Sequence, residues 1–257
     1  MQWLRFTRAD GVGFGFVDGD GVRVCNGNLF GAHERTGEIV PLSDVRWQMP
    51  TVPSKMIALV NNFHEAAGKS GTETPAAPLF FIKAPNSLCA HGATIAPPRS
   101  YDGRVIFEGE LGVVIGKAGR DIPIDRASEH IFGYTCVNDV TALDLLKADP
   151  AFPQWTRAKG FDSFGPFGPV IATDVDPLPL AVRTLVNGRE RQNYRVADMI
   201  FGPTQLVSLI SRDLTLLPGD VISCGTSVGT GVLKAGATVE VTIEGIGTLR
   251  NQYGEMG

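Results

Sequence analysis

The chain of 257 residues is 43% hydrophobic and 19% charged, a balance typical of a folded globular protein with a sizeable core. Its net charge of −4 comes without a basic run or a basic stripe interleaved with aromatic residues, which argues against a nucleic-acid partner. The first residues lack an apolar core of signal-peptide length, and no run of about 18 apolar residues exists, so we expect a cytoplasmic protein without a membrane partner.

The N-terminal stretch predicts a small β subdomain at residues 1–52. Alternating apolar residues flank the doubled D-G signal at Asp18–Gly21, which is typical of a β-hairpin. Pro50 and Pro53 then interrupt the pattern, and residues 53–257 form the predicted catalytic domain. Because the first part holds no cluster of chemical groups, we expect it to have a structural or lid-supporting role.

The next segments predict a buried strand, a short helix and a loop. The strand pattern at Lys55–Val60 runs into Asn61–Lys69, where an asparagine is a candidate N-cap for a helix. His64 with Glu65 can act as a general base, or the two can be an ordinary pair at the start of a helix. The polar, Pro-rich run Thr72–Pro78 predicts a loop that can serve as a flap.

The stretch V-I-F-E-G-E-L-G-V-V-I-G at Val105–Gly116 alternates with a period of two and predicts a strand. Glu108 and Glu110 point to the same face of it, roughly 6–7 Å apart. Two neighbouring carboxylates repel each other, and each is costly in a half-buried strand without a counter-charge. A divalent cation held by both is the leading interpretation, and a pair of exposed glutamates on a solvated face is the alternative.

A third carboxylate joins this pair. The strand predicted at Ile131–Asn138 ends at Asp139, just before a helix predicted at Thr141–Lys147. Side chains at such strand ends commonly face a cleft. Together with Glu108 and Glu110, the aspartate makes an all-oxygen site, which suits Mg²⁺, Mn²⁺ or Ca²⁺ rather than zinc. A glycosidase with paired carboxylates is disfavoured, because two residues on one strand face project in parallel.

Two later loops are chemical candidates. The Gly/Pro/Phe-rich stretch Trp155–Pro169 predicts irregular structure around Lys159. This lysine is either solvated or able to neutralise a developing enolate or carboxylate in a desolvated cleft. The Gly225–Gly231 loop can cradle an anionic group with its backbone N–H donors, or it can be a plain turn.

Strands dominate the rest of the final third. Asn187-Gly188 predicts a hairpin, and Pro203–Ser211 predicts a helix with proline in its first turn. A strand leads into Cys224, and Thr238–Arg250 is predicted as a last strand that closes the sheet.

Several motifs in this order resemble the fumarylacetoacetate hydrolase family. They include F-E-G-E-L-G-V-V-I-G at Phe107–Gly116, V-N-D-V-T-A-L-D at Val137–Asp144, R-A-K-G-F-D at Arg157–Asp162 and L-L-P-G-D-V-I-S-C-G-T at Leu216–Thr226. The resemblance extends over residues 53–250. It implies a β-rich α+β fold, a mixed β-sandwich or roll with few short helices, that forms a homodimer.

The resemblance also implies roles for single residues. The metal-ligand positions fall on Glu108, Glu110 and Asp139, and the active-site lysine on Lys159. The substrate-contacting threonine falls on Thr226, next to Gly225 in the loop that can bind an anionic group.

The implied chemistry acts on a 2-oxo or 2-enol acid, with Mg²⁺ as Lewis acid and template, or Mn²⁺ or Ca²⁺ in its place. Our first hypothesis is hydrolysis of a C–C bond in an acylpyruvate-like or diketo acid, in aromatic or amino-acid catabolism. The alternatives are decarboxylation or isomerisation of a hydroxymuconate-type acid, and a relative that binds a metabolite or metal without turnover.

The chain departs from the family pattern at two places. Many relatives carry Arg-Asp-x-x-Gln where this chain has Leu143-Asp144-Leu145-Leu146. Many also carry Tyr-x-Asp-His where this chain has Phe63-His64-Glu65-Ala66, so either the base has shifted register or it is missing. Both changes make the predicted site more apolar, and Leu143 and Leu146 favour the non-catalytic alternative.

Overall fold

The computed structural model describes residues 1–9 and 11–255, and strands far outnumber helices in these ranges. Three α-helices are present there, namely α1 His64–Ser70, α2 Trp155–Lys159 and α3 Pro203–Asp213. Short 3-10 helices lie at Leu42–Asp44, Pro85–Ser87, Ile124–His130, Leu143–Lys147 and Val196–Asp198. The β-rich α+β class with few short helices is thus confirmed. None of the described helices is long and apolar enough to cross a membrane.

Twenty strands are present in the described structure. In the first half of the chain they are β1 Gln2–Arg8, β2 Gly11–Asp18, β3 Gly21–Gly27, β4 His33–Pro41, β5 Arg46–Trp47, β6 Met56–Val60, β7 Leu79–Lys83, β8 Leu88–Cys89, β9 Thr94–Ile95, β10 Val105–Phe107 and β11 Gly109–Ile115. In the second half they are β12 Ile131–Asn138, β13 Thr141–Ala142, β14 Gly165–Ala172, β15 Ala181–Val186, β16 Arg189–Arg195, β17 Val221–Ser223, β18 Gly231–Val232, β19 Thr238–Ile243 and β20 Gly247–Tyr253.

The largest sheet crosses the predicted domain boundary. It has twelve strands in the order β4-β3-β2-β1-β14-β12-β11-β17-β6-β7, with β5 paired to β1 and β8 to β14. β1 lies antiparallel to β14, so the N-terminal strands extend the sheet of the rest of the chain. The division into residues 1–52 and 53–257 stays a prediction, and Met256 and Gly257 lie outside the described residues.

A second sheet packs against the middle of the large one. Its five strands follow the order β16-β15-β19-β20-β9, and a smaller group pairs as β13-β10-β18. Leu111 and Val113 of β11 belong to one buried cluster with Val241 and Ile243 of β19. The main core therefore lies between two sheets, which is the predicted sandwich arrangement.

Turn chemistry identifies two hairpins and one helix correctly. Strands β2 and β3 pair across the D-G signal, with Asp18 opposite Gly21. Strands β15 and β16 pair across Asn187 and Gly188, whose φ values of 50° and 73° suit a tight hairpin turn. Helix α3 begins at Pro203, as its sequence predicts.

Three other predicted elements are wrong. The stretch Trp155–Pro169 is not irregular, because it contains α2 and the start of β14. The helix predicted at Thr141–Lys147 is β13 followed by a 3-10 helix, since β13 pairs with β10. The single strand predicted at Thr238–Arg250 is the hairpin of β19 and β20, which turns through Gly245 at a φ of 76°.

Candidate metal centre and active site

Glu108 interrupts the strand that the alternation predicts and separates β10 from β11. The Glu108 N–H donates to Asn138 Oδ1 at 3.0 Å, and the Gly109 N–H donates to Gln192 Oε1 at 3.0 Å. Side-chain amides therefore satisfy the backbone where the strand ladder is broken. A Cβ on Gly109 would lie 2.0 Å from Thr184 Oγ1, so this close approach requires glycine.

Three carboxylates meet at this break. Asp139 follows β12, and its backbone N–H donates to the Glu108 carbonyl at 2.9 Å. One carboxylate oxygen from each of Glu108, Glu110 and Asp139 lies within 4.8 Å of the other two. Glu110 and Asp139 are 1% and 0% exposed, whereas Glu108 is partly exposed. The structure therefore brings the three predicted metal ligands into one cluster whose accessible side is Glu108.

Lys159 ends α2 and is buried, not solvated. Its Nζ donates to Glu108 Oε2 and to Asp139 Oδ2, at 2.5 Å each. Burial alone would lower the pKa of Lys159, but the charges of Asp139 and Glu108 outweigh burial and raise that pKa. The side chain is therefore a fixed ammonium group that bridges two of the three carboxylates.

Lys83, which sequence reasoning missed, supplies a second ammonium group. It ends β7 and is fully buried, and its Nζ donates to Asp139 Oδ1 at 2.6 Å and to the Lys159 carbonyl at 2.8 Å. Burial lowers the pKa of Lys83, and Asp139 opposes that shift. The signal available in the sequence was a lysine that closes the apolar run Leu79–Lys83, because a buried lysine needs a partner.

The ammonium groups act unequally on the carboxylates. Burial would raise the pKa of Asp139, but Lys159 and Lys83 outweigh it and hold that pKa below its usual value. Glu110 Oε2 instead accepts hydrogen bonds from Ser223 Oγ at 2.5 Å and from the Gly225 N–H at 2.8 Å. Burial, followed by the charge of Asp139, raises the pKa of Glu110 well above its usual value.

The charges and the donor atoms of the cluster fit a divalent cation. The two lysines oppose three carboxylates, which leaves one buried negative charge without a counter-charge among these five groups. All donor atoms are oxygens, the ligands that Mg²⁺, Mn²⁺ and Ca²⁺ prefer. Glu108, Glu110 and Asp139 are the side chains that can hold such an ion.

Gly225 and Thr226 contact the segment that carries the glutamates. The Gly225 N–H binds Glu110, as described above, and the residue has a φ of 87°. Thr226 Oγ1 donates to the Gly109 carbonyl at 3.0 Å and accepts from Gln192 Nε2 at 2.8 Å. The structure therefore places both residues at the cluster, and their contact with substrate stays a prediction.

His64 and Glu65 lie outside the cluster. They are the first two residues of α1, both are exposed, and Glu65 pairs with Lys69 at 2.7 Å. Within the described residues, neither side chain hydrogen-bonds to the three carboxylates. Their catalytic roles stay predictions.

The start of α1 is nevertheless attached to the site. The predicted asparagine cap is wrong, because Phe63 precedes the helix without a side-chain cap bond. Asn62 instead accepts from the Phe201 N–H at 2.9 Å and donates from Nδ2 to the Cys224 carbonyl at 2.8 Å. Cys224 precedes the loop of Gly225, so α1 begins beside the residues that bind Glu110.

Leu143 and Leu146 lie on the 3-10 helix after Asp139, and both are partly exposed. Between them, Asp144 is exposed and hydrogen-bonds to Tyr101 and Arg104 instead of the cluster. The 3-10 helix packs against α2, so the two leucines lie near the helix that carries Lys159 without adding a charge.

Two family profiles match different parts of the chain. The profile described as "Fumarylacetoacetate (FAA) hydrolase C-terminal" matches residues 55–253. The profile described as "Rv2993c-like, N-terminal" matches residues 1–50. The first match covers well over half of the chain.

Three similar proteins extend over most of this length. Protein Rv2993c of Mycobacterium tuberculosis is 41% identical over 261 residues, which cover 98% of this chain and 97% of that protein. Oxaloacetate tautomerase YisK of Bacillus subtilis is 38% identical over 227 residues, which cover 83% of this chain and 74% of that protein. The crystal structure of 2-hydroxyhepta-2,4-diene-1,7-dioate isomerase from Mycobacterium marinum is 40% identical, with a TM-score of 0.91, and covers 100% of this chain and 99% of that one. The chain therefore belongs to the fumarylacetoacetate hydrolase family.

Proposed function

We propose that the protein is a divalent-metal-dependent isomerase or tautomerase of a small 2-oxo or 2-enol acid, with Mg²⁺ or Mn²⁺ held by Glu108, Glu110 and Asp139. The observation that carries this proposal is the buried cluster in which Lys159 bridges two of the three carboxylates. The names of two similar proteins, an oxaloacetate tautomerase and a dienedioate isomerase, support this class of reaction.

The residues of the cluster are suited to stabilising an enolate. A bound divalent cation would supply a Lewis acid for the substrate carboxylate and 2-oxo oxygen. Lys159 would donate an N–H to the oxygen on which negative charge develops, because its ammonium group already points into the cluster. Asp139 stays ionised and keeps Lys159 oriented, since the two lysines hold the pKa of Asp139 down. Burial strengthens these interactions by excluding water.

Proton transfer at the substrate carbon needs a group outside the cluster. We assign this role to His64, because α1 begins beside the loop of Gly225. The imidazole is exposed and makes no hydrogen bond within the described residues, so it is free to reach a bound substrate. Isomerisation needs only this proton carrier and the enolate-stabilising groups.

Hydrolysis of a C–C bond is the second candidate, since the matched profile carries a hydrolase name. It would use the same cluster, but it also needs a base that orients a water molecule. His64 is exposed and Glu65 is paired with Lys69 at 2.7 Å, so the described residues show no oriented base for a water. The geometry therefore favours isomerisation over hydrolysis.

The test uses protein that has been freed of metal with a chelator and then supplied with Mg²⁺ or Mn²⁺. We expect metal-dependent tautomerisation of oxaloacetate, followed by the absorbance of its enol, and little cleavage of acetylpyruvate. Lys159→Met should lower kcat by about 100-fold or more, and His64→Ala should lower kcat while metal affinity, measured by calorimetry, stays unchanged. The exposed Glu34→Gln on β4 is the control and should keep full activity.

Three outcomes would contradict the proposal. Cleavage of acetylpyruvate without tautomerisation of oxaloacetate would establish the hydrolase instead. Full activity of a folded Lys159→Met variant would remove the proposed enolate partner. Metal binding without turnover of oxaloacetate, acetylpyruvate or phenylpyruvate would identify a non-catalytic relative.

A further inference from the structure

An apolar pocket of about 420 Å³ lies between the edge strand β7 and the start of α2, the helix that ends at Lys159. It is lined by Val60, Pro78, Leu79, Phe80, Phe81 and Trp155. These residues come from the end of β6, from β7 and the residue before it, and from the start of α2. None of them takes part in the chemistry proposed above.

An aromatic pair connects the pocket to the cluster. Phe81 stacks on Trp155 with ring centroids 5.2 Å apart and an interplanar angle of 22°. The Phe81 ring centroid also lies 5.3 Å from Lys159 Nζ. Because side chains alternate along a strand, Phe81 and Lys83 share one face of β7, and both reach Lys159. Phe81 therefore contacts both the pocket and the lysine of the cluster.

The chemistry of the lining selects an apolar ligand. None of the lining side chains carries a charge. The nearby ammonium groups of Lys83 and Lys159 are already paired with Asp139, at 2.6 Å and 2.5 Å. A carboxylate placed in this pocket would therefore lose water without gaining a partner, which is costly.

The pocket is large enough for a bulky apolar group. An apolar cavity of about 150 Å³ accepts benzene. The volume of about 420 Å³ therefore has room for a phenyl or branched alkyl group and its linker. The flat faces of Phe81 and Trp155 suit an aromatic ring best, because offset stacking adds to the burial of apolar surface.

We infer that this pocket binds the apolar end of the substrate, so that the enzyme acts on 2-oxo or 2-enol acids that carry an aryl or branched alkyl group in place of a second carboxylate. The inference rests on the proposed function, because the cluster has to hold the 2-oxo acid end while the pocket receives the remainder. Trp155 and Phe81 are then the residues that determine substrate specificity.

A second copy of the chain is the rival occupant. β7 is the edge strand of the large sheet, and Leu79 and Ile82 on it are 49% and 40% exposed. Such a strand can pair with or pack against another molecule. The contacts of Phe81 with both Trp155 and Lys159 favour the substrate as occupant, because a side chain that lines the pocket then reaches the lysine of the cluster.

The test compares two 2-oxo acids that differ at the carbon next to the 2-oxo group. Phenylpyruvate carries a phenyl group there, and oxaloacetate carries a carboxylate. We expect the metal-loaded enzyme to tautomerise phenylpyruvate with the higher kcat/KM. Trp155→Ala should reduce the ratio of the two kcat/KM values by about tenfold or more, mainly through the KM of phenylpyruvate. Trp155→Phe should keep most of the preference, because it keeps an aromatic wall.

The matched control is Phe152→Ala. Phe152 is 69% exposed and does not line the pocket, so its removal should leave the ratio unchanged. A preference for oxaloacetate, or a ratio that Trp155→Ala does not change, overturns the inference and leaves the proposed function standing. Gel filtration tests whether a second copy of the chain occupies the pocket. If Leu79→Asp turns a dimer into a monomer and leaves the ratio of the two kcat/KM values unchanged, a second copy covers the pocket. That result overturns the inference.

A failure of the proposed function is recognised separately. If neither compound is turned over, calorimetric titration with 3-phenylpropanoate and with propanoate decides the question. Tighter binding of the phenyl compound that is lost in Trp155→Ala supports the pocket as an apolar ligand site. Equal binding of the two compounds overturns it.

Discussion

Lys83 lies beside the carboxylate cluster, and both of its hydrogen bonds go to groups of the site. Its ammonium group donates to Asp139, a proposed metal ligand, and to the backbone carbonyl of Lys159 at the end of α2. Gly165 leaves room for it, since a Cβ there would lie 2.8 Å from Lys83 Cε. Lys83 thus acts through its neighbours, as a positioning residue.

We expect Lys83→Met to destabilise the fold and to weaken metal binding. The change leaves a buried carboxylate without one of its two ammonium partners, which costs about 3–5 kcal/mol in the free energy of unfolding. Affinity for Mn²⁺ should fall about 10–100-fold, as it does when a partner of a metal ligand is removed. Denaturant unfolding and calorimetric titration measure the two effects.

Lys117→Met is the control for that change. Its pair with Glu129 spans 3.6 Å between exposed side chains, so the substitution should change neither quantity measurably. A Lys83→Met protein with unchanged Mn²⁺ affinity would show that Lys83 serves stability alone.

The break between β10 and β11 is the element that shapes the site. A continuous strand would keep the two glutamates side by side, whereas the interruption at Glu108 lets the chain turn toward Asp139. The break is held by Asn138 and Gln192, whose side chains replace the missing ladder partners. Gly109 makes it possible, because no larger residue fits against Thr184.

We expect Gly109→Ala to disturb this break. The added methyl group would lie 2.0 Å from Thr184 Oγ1, and such overpacking costs about 1–3 kcal/mol. Metal affinity should fall as well, because Glu108 and Glu110 flank the displaced residue. Thermal unfolding and titration with Mn²⁺ measure both losses, and an alanine variant that binds metal normally would show that the break does not position the ligands.

Two further variants complete this comparison. Adding Thr184→Ala to Gly109→Ala removes the nearest clashing atom and should restore part of the lost stability. Gly68→Ala is the matched glycine control: its Cβ meets nothing within 4 Å inside α1, so it should stabilise the protein by about 0.5–1 kcal/mol.

At the scale of the whole molecule, the order of strands assembles the site. Five successive neighbours in the large sheet carry groups of the site, either within the strand or just after it. They are β12 with Asp139, β11 with Glu110, β17 with Ser223, β6 with Asn62 and β7 with Lys83. Each contributes one group to the cluster or to its supports. A cation bound there links distant parts of the fold, so metal binding and global stability are coupled.

We expect Mg²⁺ to raise the Tm, and to do so more at about pH 8 than at about pH 5. The fold raises the pKa of Glu110, so the metal-free fold loses stability as the pH rises from the unfolded value of about 4.3 through the raised value. A cation binds the ionised carboxylate and therefore offsets this loss over the same pH range. The lowered pKa of Asp139 has the opposite effect on stability, but that effect changes with pH only at more acidic pH.

Scanning calorimetry at several Mg²⁺ concentrations measures this coupling. At about 100 times Kd the stabilisation should reach about 2.7 kcal/mol. Glu110→Gln should remove the Mg²⁺ effect at both pH values. A Mg²⁺-induced Tm shift that is as large at about pH 5 as at about pH 8 would contradict the assignment of Glu110 as a ligand.

The candidate residues were predictable where a pattern is local. The alternation of Val105–Gly116 and the strand end at Asp139 pointed to three carboxylates, and Lys159 was recognised from a motif. Lys83 was not, because the apolar run before it indicates only that it is buried, and its partner Asp139 lies 56 positions away in the chain. The stacking of Phe81 on Trp155 was not predicted either, because these two residues are also far apart in the chain.

The sequence by itself determined the family, the strand-rich class, the hairpin turns and the identity of the three carboxylates, since these depend on motifs, on a period of two and on turn residues. Only the tertiary structure decided that the glutamate strand breaks, that Lys83 lies beneath Asp139 and that Glu110 is held by Ser223, 113 positions away. These facts follow from which strands become neighbours in the sheet. That choice is made by packing between distant segments, which no local pattern encodes.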